Sequence, residues 1–210
     1  MQAQPPNSTR NRYHHGDLRA ALIEAATRII TKKRVEDFKV ADAAREIGVS
    51  SGAPYRHFKD KDDLLAHVAA AGFEALSCTT QNAIRRHPEG SVEGLIDGGC
   101  AYVTFVSSRP ELFHLMWGAA RPHGHNDIAR ETGTRCYLIF MDSLKKVMET
   151  RGLGHLEPHA FGAPLWAMVH GFASLVIGEN DNLERTPEAL RRHITSATRA
   201  YFDGSAAKLD

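Results

Sequence analysis

Apolar residues recur along the chain at the spacing of amphipathic helices, and no convincing strand-like alternation is found. In the first segment, Leu18, Leu22 and Ile29 fall on one face and charged residues on the other. This pattern predicts a first helix capped by Asp17 with residues 32–34 in its last turn. Further helices are predicted near residues 40–47, 51–58, 61 into the 80s, 92–106, 110–118, 127–151, 158–179 and 187–203. The fold class is therefore all-α.

Residues 39–58 have the features that a helix-turn-helix requires. Ala43 is small where a partner helix must cross, and Gly48 can adopt the positive φ of the corner. Ser50 is expected to cap the second helix with its hydroxyl, while Val49 packs into the core. The short residues after the corner would allow this helix to approach base edges in a major groove.

Side chains that can donate hydrogen bonds follow the corner. Tyr55, Arg56, His57 and Lys61 could reach phosphates or bases. Charge agrees with this placement: residues 1–60 carry eleven Lys and Arg against seven Asp and Glu, whereas the whole chain is +1. A basic first quarter suggests that this end meets a polyanion, although a solvated charged surface would look the same. Residues 1–12 are polar and predict a flexible arm rather than a signal peptide.

The corner also matches a different motif. Residues 48–52 fit GxSxG, the nucleophile elbow of α/β-hydrolases. That elbow needs a buried strand before the serine, and the preceding residues are helical in pattern. No paired carboxylates, phosphate-binding glycine loop or triad occurs elsewhere in the sequence. We therefore expect no enzymatic activity and no cofactor.

Three groups of residues together resemble the DNA-binding domain of the tetracycline-repressor (TetR) family, over about residues 13–75. They are Tyr13-His14-His15-Gly16-Asp17-Leu18, Gly48-Val49-Ser50 and Ala53-Pro54-Tyr55-Arg56-His57-Phe58-x-x-Lys61. A second match, Trp166-x-x-x-His170-Gly171, resembles the C-terminal domain of a TetR subgroup with a Trp-His-Gly signature. The resemblance implies a helical homodimer, usually a repressor, that leaves a palindromic operator when a small molecule binds the C-terminal domain.

The resemblance also implies roles for single residues. Tyr55, His57 and Lys61 would contact phosphates, and Phe58 would lie in the core. The groove-facing positions would be Ser50, Ser51, Gly52, Ala53 and Arg56. Lys39 stands where the family usually has a capping Ser or Thr, so it could add a phosphate contact instead. Arg34 and Val35 stand where the family usually has a glycine, which affects only where the first helix ends.

Apolar and aromatic side chains of the middle helices could line an effector cavity. The candidates are Phe105, Met116, Trp117, Phe140, Trp166 and His170, although any one of them could be core. Residues 160–178 contain no charged side chain. A membrane span is possible by length, but a buried helix or subunit interface is the preferred interpretation. The last helix could pair with it through a face that contains Leu190, Ile194, Ala197 and Tyr201.

Histidine and cysteine suggest little chemistry. His123 and His125 with Asp127, or His155 with His159, could bind a metal, but they lack the cysteine partners of a structural zinc site. We therefore predict no metal. Three cysteines without a CxxC pair fit a reducing cytoplasm, and all three are expected to be buried.

The sequence thus predicts an arm (residues 1–12), a three-helix helix-turn-helix DNA-binding domain (residues 13–60) and a helical-bundle domain for effector binding and dimerisation (residues 61–205). The expected function is a sequence-specific, homodimeric transcription regulator that binds double-stranded operator DNA and an unidentified small molecule, in the cytoplasm and without a membrane. The alternative is a helical small-molecule or metal-binding protein whose helix-turn-helix is vestigial.

Overall fold

A computed structural model describes residues 17–118, 127–178 and 182–206 of the chain. These residues form eight α-helices and no strand, which confirms the all-α prediction. The helices are α1 (Leu18–Ile30), α2 (Val40–Glu46), α3 (Lys61–Ile84), α4 (Val92–Ser107), α5 (Pro110–Trp117), α6 (Ile128–Thr150), α7 (Pro158–Ile177) and α8 (Pro187–Ala206). Short turns of 3₁₀ helix lie at Val35–Asp37 and Pro54–Arg56. The predicted arm and the pair His123 and His125 lie outside the described residues.

The first helix begins as predicted and ends earlier. Asp17 caps it, because its carboxylate accepts a hydrogen bond of 2.9 Å from the amide of Ala20. The helix ends at Ile30, so the prediction that residues 32–34 form its last turn is wrong. Arg34 adopts an extended backbone with φ of −59° and ψ of 143°, and the chain turns there to bury Val35. Burial of one valine outweighs the favourable placement of three cations at a helix end.

The second element of the helix-turn-helix is not the α-helix predicted for residues 51–58. Only Pro54–Arg56 is helical, as a 3₁₀ turn with bonds from Ala53 to Ser50 and from Arg56 to Ala53. The bond at Ser50 uses its backbone carbonyl, whereas the prediction placed the cap at its hydroxyl. Serine and glycine are poor helix formers, so this short stretch gains little from a full α-helical turn.

One hydrophobic core connects the two ends of the molecule. It includes Leu22 of α1, Phe58, and Leu64 and Val68 in the first turns of α3, and it continues to Ile194 of α8. Helix α3 packs against α4, α5 and α6, while α7 and α8 pack against α4. The N-cap of α3 is Asp60, where the sequence placed the domain boundary, but the helix itself passes through both predicted domains. That boundary stays a prediction.

The last two helices differ in how much apolar surface they leave uncovered. Helix α7 is long and apolar enough to cross a membrane by length and composition, and only 22% of that stretch is buried. Helix α8 uses its apolar face within its own chain, since Leu190 and Ile194 are 8% and 1% exposed. The hydroxyl of Tyr201 on that face donates to the carbonyl of Phe161 at 2.9 Å. The prediction that this face of α8 meets a partner is therefore wrong.

Cysteine exposure also departs from expectation. Cys78 on α3 is exposed, whereas Cys100 and Cys136 are half-buried, and all three are free thiols. Cys78 lies on the outer side of α3, one helical turn before Asn82, whose amide nitrogen is 3.5 Å from its sulfur. The prediction of three buried cysteines is wrong for Cys78, because one face of α3 is exposed to solvent in the second half of this helix and Cys78 lies on that face.

Candidate DNA-binding surface and effector cavity

The residues predicted to contact DNA lie around one exposed tip. Tyr55 is 57% exposed, the highest exposed fraction of any large apolar side chain among the described residues. Other predicted DNA contacts close to Tyr55 in the chain are also exposed, namely Ser50, Ser51, Gly52, Arg56 and His57. Ala53 is half-buried. An aromatic ring held in solvent gains nothing from the protein core, whereas it can cover a phosphate or a groove wall. The arrangement is suited to surface recognition.

A buried phenylalanine holds this tip in place. Phe58 is 2% exposed and meets the ring of His67 edge to face, with ring centroids 5.5 Å apart. The guanidinium of Arg19 lies 5.5 Å from the centroid of the Phe58 ring. Phe58 therefore links the reading turn to α1 and α3, as its predicted core role requires. Pro54 is buried beside it.

The corner of the motif depends on glycine. Gly48 has φ of +75°, which confirms the prediction of a left-handed corner. Val49, which was predicted to fill the core there, is only half-buried and lies outside the core cluster. Ile47, on the other side of Gly48, packs against the core instead.

Gly48→Ala is expected to lower the free energy of unfolding by about 1–2 kcal/mol, the cost of a left-handed conformation for an L-residue. A Cβ at Gly48 meets no atom within 4 Å, so the cost is conformational and not steric. Gly52→Ala is the matched control, since it too has open space but its φ lies outside the left-handed region. Urea unfolding of both variants checks this, and equal losses would contradict it.

The two lysines of the predicted DNA set differ in their surroundings. Lys39 is exposed at the N-cap of α2 and makes no side-chain cap. Lys61 is half-buried, and its ammonium lies 5.9 Å from the centroid of the Phe38 ring and donates to the carbonyl of Glu36 at 3.4 Å. Lys39 is thus available to a phosphate, whereas Lys61 must leave the Glu36 carbonyl to reach one.

An apolar cavity of about 420 Å³ lies between α3, α4, α6 and α7, next to the end of α5. Four of the six predicted effector residues line it: Met116, Trp117, Phe140 and Trp166. Among the described residues, six aromatic side chains line the cavity: Phe73, Tyr102, Trp117, Tyr137, Phe140 and Trp166. Arg130 is the one charged side chain in the same set of lining residues. This composition suits an apolar ligand that carries no positive charge.

Phe105 and His170 do not line this cavity. Phe105 is 8% exposed, belongs to the core, and has the Arg109 guanidinium 4.5 Å from the centroid of its ring. His170 lies behind the wall, with the rings of Trp117 and Trp166 at 5.5 Å and 5.1 Å from its own. Both residues therefore support the cavity without reaching its interior.

A hydrogen bond fixes His170 against the wall. The Nδ1 atom of His170 lies 2.7 Å from the hydroxyl of Tyr102. Burial raises the pKa of Tyr102, so its hydroxyl stays protonated and donates a hydrogen bond to Nδ1 of His170. Burial also lowers the pKa of His170, which favours the neutral ring that can accept this bond.

Stability is expected to fall as the pH drops below 6.5 because of His170. The pKa of His170 in the folded protein lies below the ordinary 6.5, so on acidification the unfolded chain binds this proton first. The free energy of unfolding therefore decreases as the pH falls from 6.5 to the pKa of the folded state. His170→Gln removes the titration and keeps an acceptor for Tyr102. Unfolding curves between pH 6.5 and about 5 should show a shallower decline for this variant. The other histidines are common to both proteins, so identical slopes would contradict the assignment.

Glycines open the cavity, and sequence reasoning missed them. A Cβ on Gly98 would lie 2.8 Å from the side chain of Ile84, and one on Gly133 would lie 3.1 Å from the ring of Phe73. A Cβ on Gly99 would approach Val169 to 3.3 Å. Two adjacent glycines in the middle of α4 were the available signal, because glycine is unfavourable inside a helix unless close packing requires it.

Two family models match the sequence. Residues 22–68 match the bacterial regulatory proteins of the tetR family, and residues 95–198 match the tetracyclin repressor-like C-terminal domain. The matched segments contain the helix-turn-helix and most of the cavity wall. The chain belongs to the TetR family. It is a DNA-binding transcriptional regulator with a ligand-binding C-terminal domain.

Solved structures agree with this TetR-family fold. A protein of unknown function from Rhodococcus sp. RHA1 is 26% identical, with a TM-score of 0.78 over 92% of this chain and 98% of that one. A putative transcriptional regulator from Pseudomonas aeruginosa PAO1 is 20% identical, with a TM-score of 0.63 over 90% and 89%. The regulator FadR from Bacillus subtilis, solved with stearoyl-CoA, is 16% identical, with a TM-score of 0.59 over 88% and 98%. The last two show the fold alone. No curated protein matches the sequence.

Helix α5 of this TetR-family regulator touches both functional regions. At its start, the carboxylate of Glu111 accepts a hydrogen bond of 3.1 Å from the amide of Val35, in the segment between α1 and α2. At its end, Met116 and Trp117 line the cavity. The eight residues of α5 thus join the cavity wall to the DNA-binding end within about 12 Å of helix.

No metal centre is found within the described ranges of the chain, where no group of three His, Cys, Asp or Glu residues is placed to hold an ion. His159, one of the two histidines considered as metal ligands, stacks against the ring of Tyr137 with centroids 5.9 Å apart. His155, the other histidine of that pair, is exposed. The Gly48–Gly52 segment forms the helix-turn-helix corner, with α2 rather than a strand before it.

Proposed function

We propose that this TetR-family regulator is a cytoplasmic homodimeric repressor that leaves a palindromic operator when a small apolar molecule fills the cavity. The observation that carries this proposal is the position of α5, with Glu111 on the DNA-binding end and Trp117 on the cavity wall. A ligand that displaces the end of α5 changes the position of Val35 and the elements that follow it. Such a ligand shifts the population of conformations by its differential affinity for them.

The exposed face of α7 supports the dimer. Most of this apolar helix is uncovered in the single chain, including Trp166 at 37% and Leu175 at 45% exposure. An apolar surface of this extent on a soluble protein marks an interface. A two-fold axis along α7 would give an isologous dimer that carries two reading turns, and half-sites about 34 Å apart would then make the operator palindromic. The proposed dimer uses α7 and the outer, polar face of α8.

The proposed DNA contacts are Lys39, Ser50, Ser51, Gly52, Ala53, Tyr55, Arg56, His57 and Lys61. Their exposure at one tip supports the set, apart from the half-buried Ala53 and Lys61. The proposed effector contacts are Met116, Trp117, Phe140 and Trp166, with His170 behind them. Membership of the Trp-His-Gly subgroup, predicted from Trp166, His170 and Gly171, stays a prediction.

Selection of the purified protein against a random duplex library tests the proposal. Enrichment of a palindrome, with affinity that falls steeply as salt rises, supports it. Release of the winning duplex by an apolar compound would then separate a ligand-released repressor from a regulator that needs its ligand to bind. If the protein binds apolar compounds but enriches no duplex, with or without them, the vestigial helix-turn-helix of the alternative is correct.

Glu111→Ala is expected to weaken the coupling between cavity and operator. The amide of Val35 loses its acceptor, at a cost of about 1 kcal/mol, and α5 loses its contact with the DNA-binding end. The factor by which a bound ligand lowers operator affinity should shrink by about fivefold, within the usual range of coupling energies. Fluorescence anisotropy of labelled operator, with and without ligand, measures this factor.

Glu111→Gln is the matched control, because its side-chain oxygen can still accept the bond from Val35. It should retain the coupling of the wild type. Hydrogen exchange at the Val35 amide gives an independent measurement and should be faster only in the alanine variant. An unchanged coupling factor together with faster exchange would exclude this bond as the connection.

A further inference from the structure

A second cavity continues the first along the same pair of helices. It has a volume of about 400 Å³ and is lined by the end of α3, the α3–α4 connection and the second half of α6. Three residues, Ile84, Leu95 and Ile139, line both cavities. All three are aliphatic and half-buried, and they form a wall common to the two cavities.

The two cavities follow one another because α3 and α6 run in the same direction. Gly133, early in α6, approaches the ring of Phe73 in the middle of α3. Beyond the end of α3, the hydroxyl of Thr150 donates to the carbonyl of Gly90 at 2.7 Å. The first cavity follows α6 from Arg130 to Phe140, a rise of about 15 Å at 1.5 Å per residue. The two cavities together, which we call the slot, follow about 25 Å of α6 from Arg130 to Val147.

The chemistry changes from one end of this slot to the other. The first cavity has six aromatic rings and a single charged residue. The second has five titratable side chains: Arg85, His87, Glu89, Asp142 and Lys146. An elongated ligand that occupies both must therefore be apolar over most of its length and polar at one end.

The free donor at the polar end is Arg85. His87 lies 2.7 Å from the carboxylate of Asp97, and Lys146 pairs with Glu89. Arg85 is exposed, and its guanidinium makes no hydrogen bond or ion pair with any residue that the structure describes. An arginine presents several N–H donors in a fork that matches a carboxylate or a phosphate.

We propose that the effector is an elongated anionic amphiphile, whose apolar part lies in the aromatic cavity between Phe73 and Ile84 and whose anionic head lies at Arg85. This proposal rests on the function proposed above and names the class of its ligand. The ligand passes the wall formed by Ile84, Leu95 and Ile139, so its length must match the slot. Short or compact molecules fill only the aromatic cavity.

The two tryptophans of the chain, Trp117 and Trp166, both line the first cavity, so their fluorescence reports its occupancy. The probes are octanoate, dodecanoate and hexadecanoate, with dodecanol and dodecylamine as neutral and cationic heads, each below its micellar concentration. Affinity should rise by roughly fourfold per added methylene until the slot is filled. Dodecanoate should bind more tightly than dodecanol, and dodecylamine least. Affinity independent of chain length, or a preference for the amine, would overturn the proposal.

Arg85→Ala tests the head group, and Arg86→Ala is its matched control. Arg86 is the next residue, is equally exposed, and lines neither cavity. Arg85→Ala should weaken dodecanoate by about fivefold, as expected for an exposed ion pair, and should leave dodecanol unchanged. Arg86→Ala should change neither probe. Equal effects of the two variants, or an equal effect of Arg85→Ala on dodecanoate and dodecanol, would overturn the role of Arg85.

A third variant tests the passage between the cavities. Ile139→Phe places a larger side chain on the common wall and should weaken hexadecanoate at least tenfold, and by a larger factor than octanoate; equal losses for the two probes would overturn the passage. Thermal unfolding of each variant confirms that it folds. These titrations contain no DNA, so they are independent of operator binding. A protein that binds its operator but none of the probes retains the proposed function and refutes the amphiphile.

Discussion

Arg56→Ala should lower operator affinity by ten- to a hundredfold while the protein stays folded. Loss of one base contact costs about 1–3 kcal/mol, and loss of a phosphate contact reduces the salt dependence by about one ion. The side chain is exposed and makes no hydrogen bond or ion pair with the described part of the chain, so its removal should change the free energy of unfolding by less than about 0.5 kcal/mol. Anisotropy titrations of the selected operator at several salt concentrations measure both quantities.

Two companion variants make this result specific. Arg56→Lys keeps the charge but not the planar fork, so it preserves a phosphate contact and loses a bidentate base contact. Arg86→Ala removes one exposed positive charge from the far end of α3 and should leave operator affinity unchanged. A loss in Arg86→Ala as large as in Arg56→Ala would mean that overall charge, and not the reading turn, decides binding.

Phe58→Ala should lower the free energy of unfolding by about 3–5 kcal/mol, the cost found for removal of a buried phenylalanine. The ring is 2% exposed and supports His67 of α3 and Arg19 of α1, so its removal leaves a void directly beneath the reading turn. Operator binding should be lost together with the fold of this end. Urea unfolding gives the magnitude.

A conservative variant guards this prediction against simple failure to fold. Phe58→Leu keeps most of the apolar volume, so it should lose about 1.5 kcal/mol or less and retain measurable operator binding. If Phe58→Ala loses less than 1 kcal/mol, the tip does not depend on this ring for its position. The same result would remove the structural reason for calling Phe58 a core residue.

Features encoded within a few residues could be predicted from the sequence. The Asp17 cap depends on an amide three residues away, and the Gly48 corner depends on one backbone angle. The beginnings and ends of the long helices α3, α4 and α6 follow from periodicity and from breakers such as Pro88 and Pro110. The helix-turn-helix tip was predictable for the same reason, since its exposed residues follow one another in the chain.

Features that depend on how helices face one another could not be predicted. Phe105 and Tyr102 lie on the same helix and both look apolar, yet only Tyr102 reaches the cavity. The face of α8 with Leu190 and Ile194 suits either a partner or its own core, and only the packing against α4 decides. The end of α1 was missed because the burial of Val35 is a tertiary effect. Periodicity identifies a face, but it does not identify the neighbour of that face.

The contacts of α5 with both the cavity and the DNA-binding end mean that operator DNA should also affect ligand binding. Coupling between two binding sites is reciprocal. If a bound ligand lowers the affinity for the operator by some factor, a bound operator lowers the affinity for the ligand by the same factor. Protein on DNA is therefore a weaker receptor than protein in solution. The concentration of ligand that half-saturates the protein should therefore rise when operator duplex is added in excess, by at most the coupling factor, although the protein is the same.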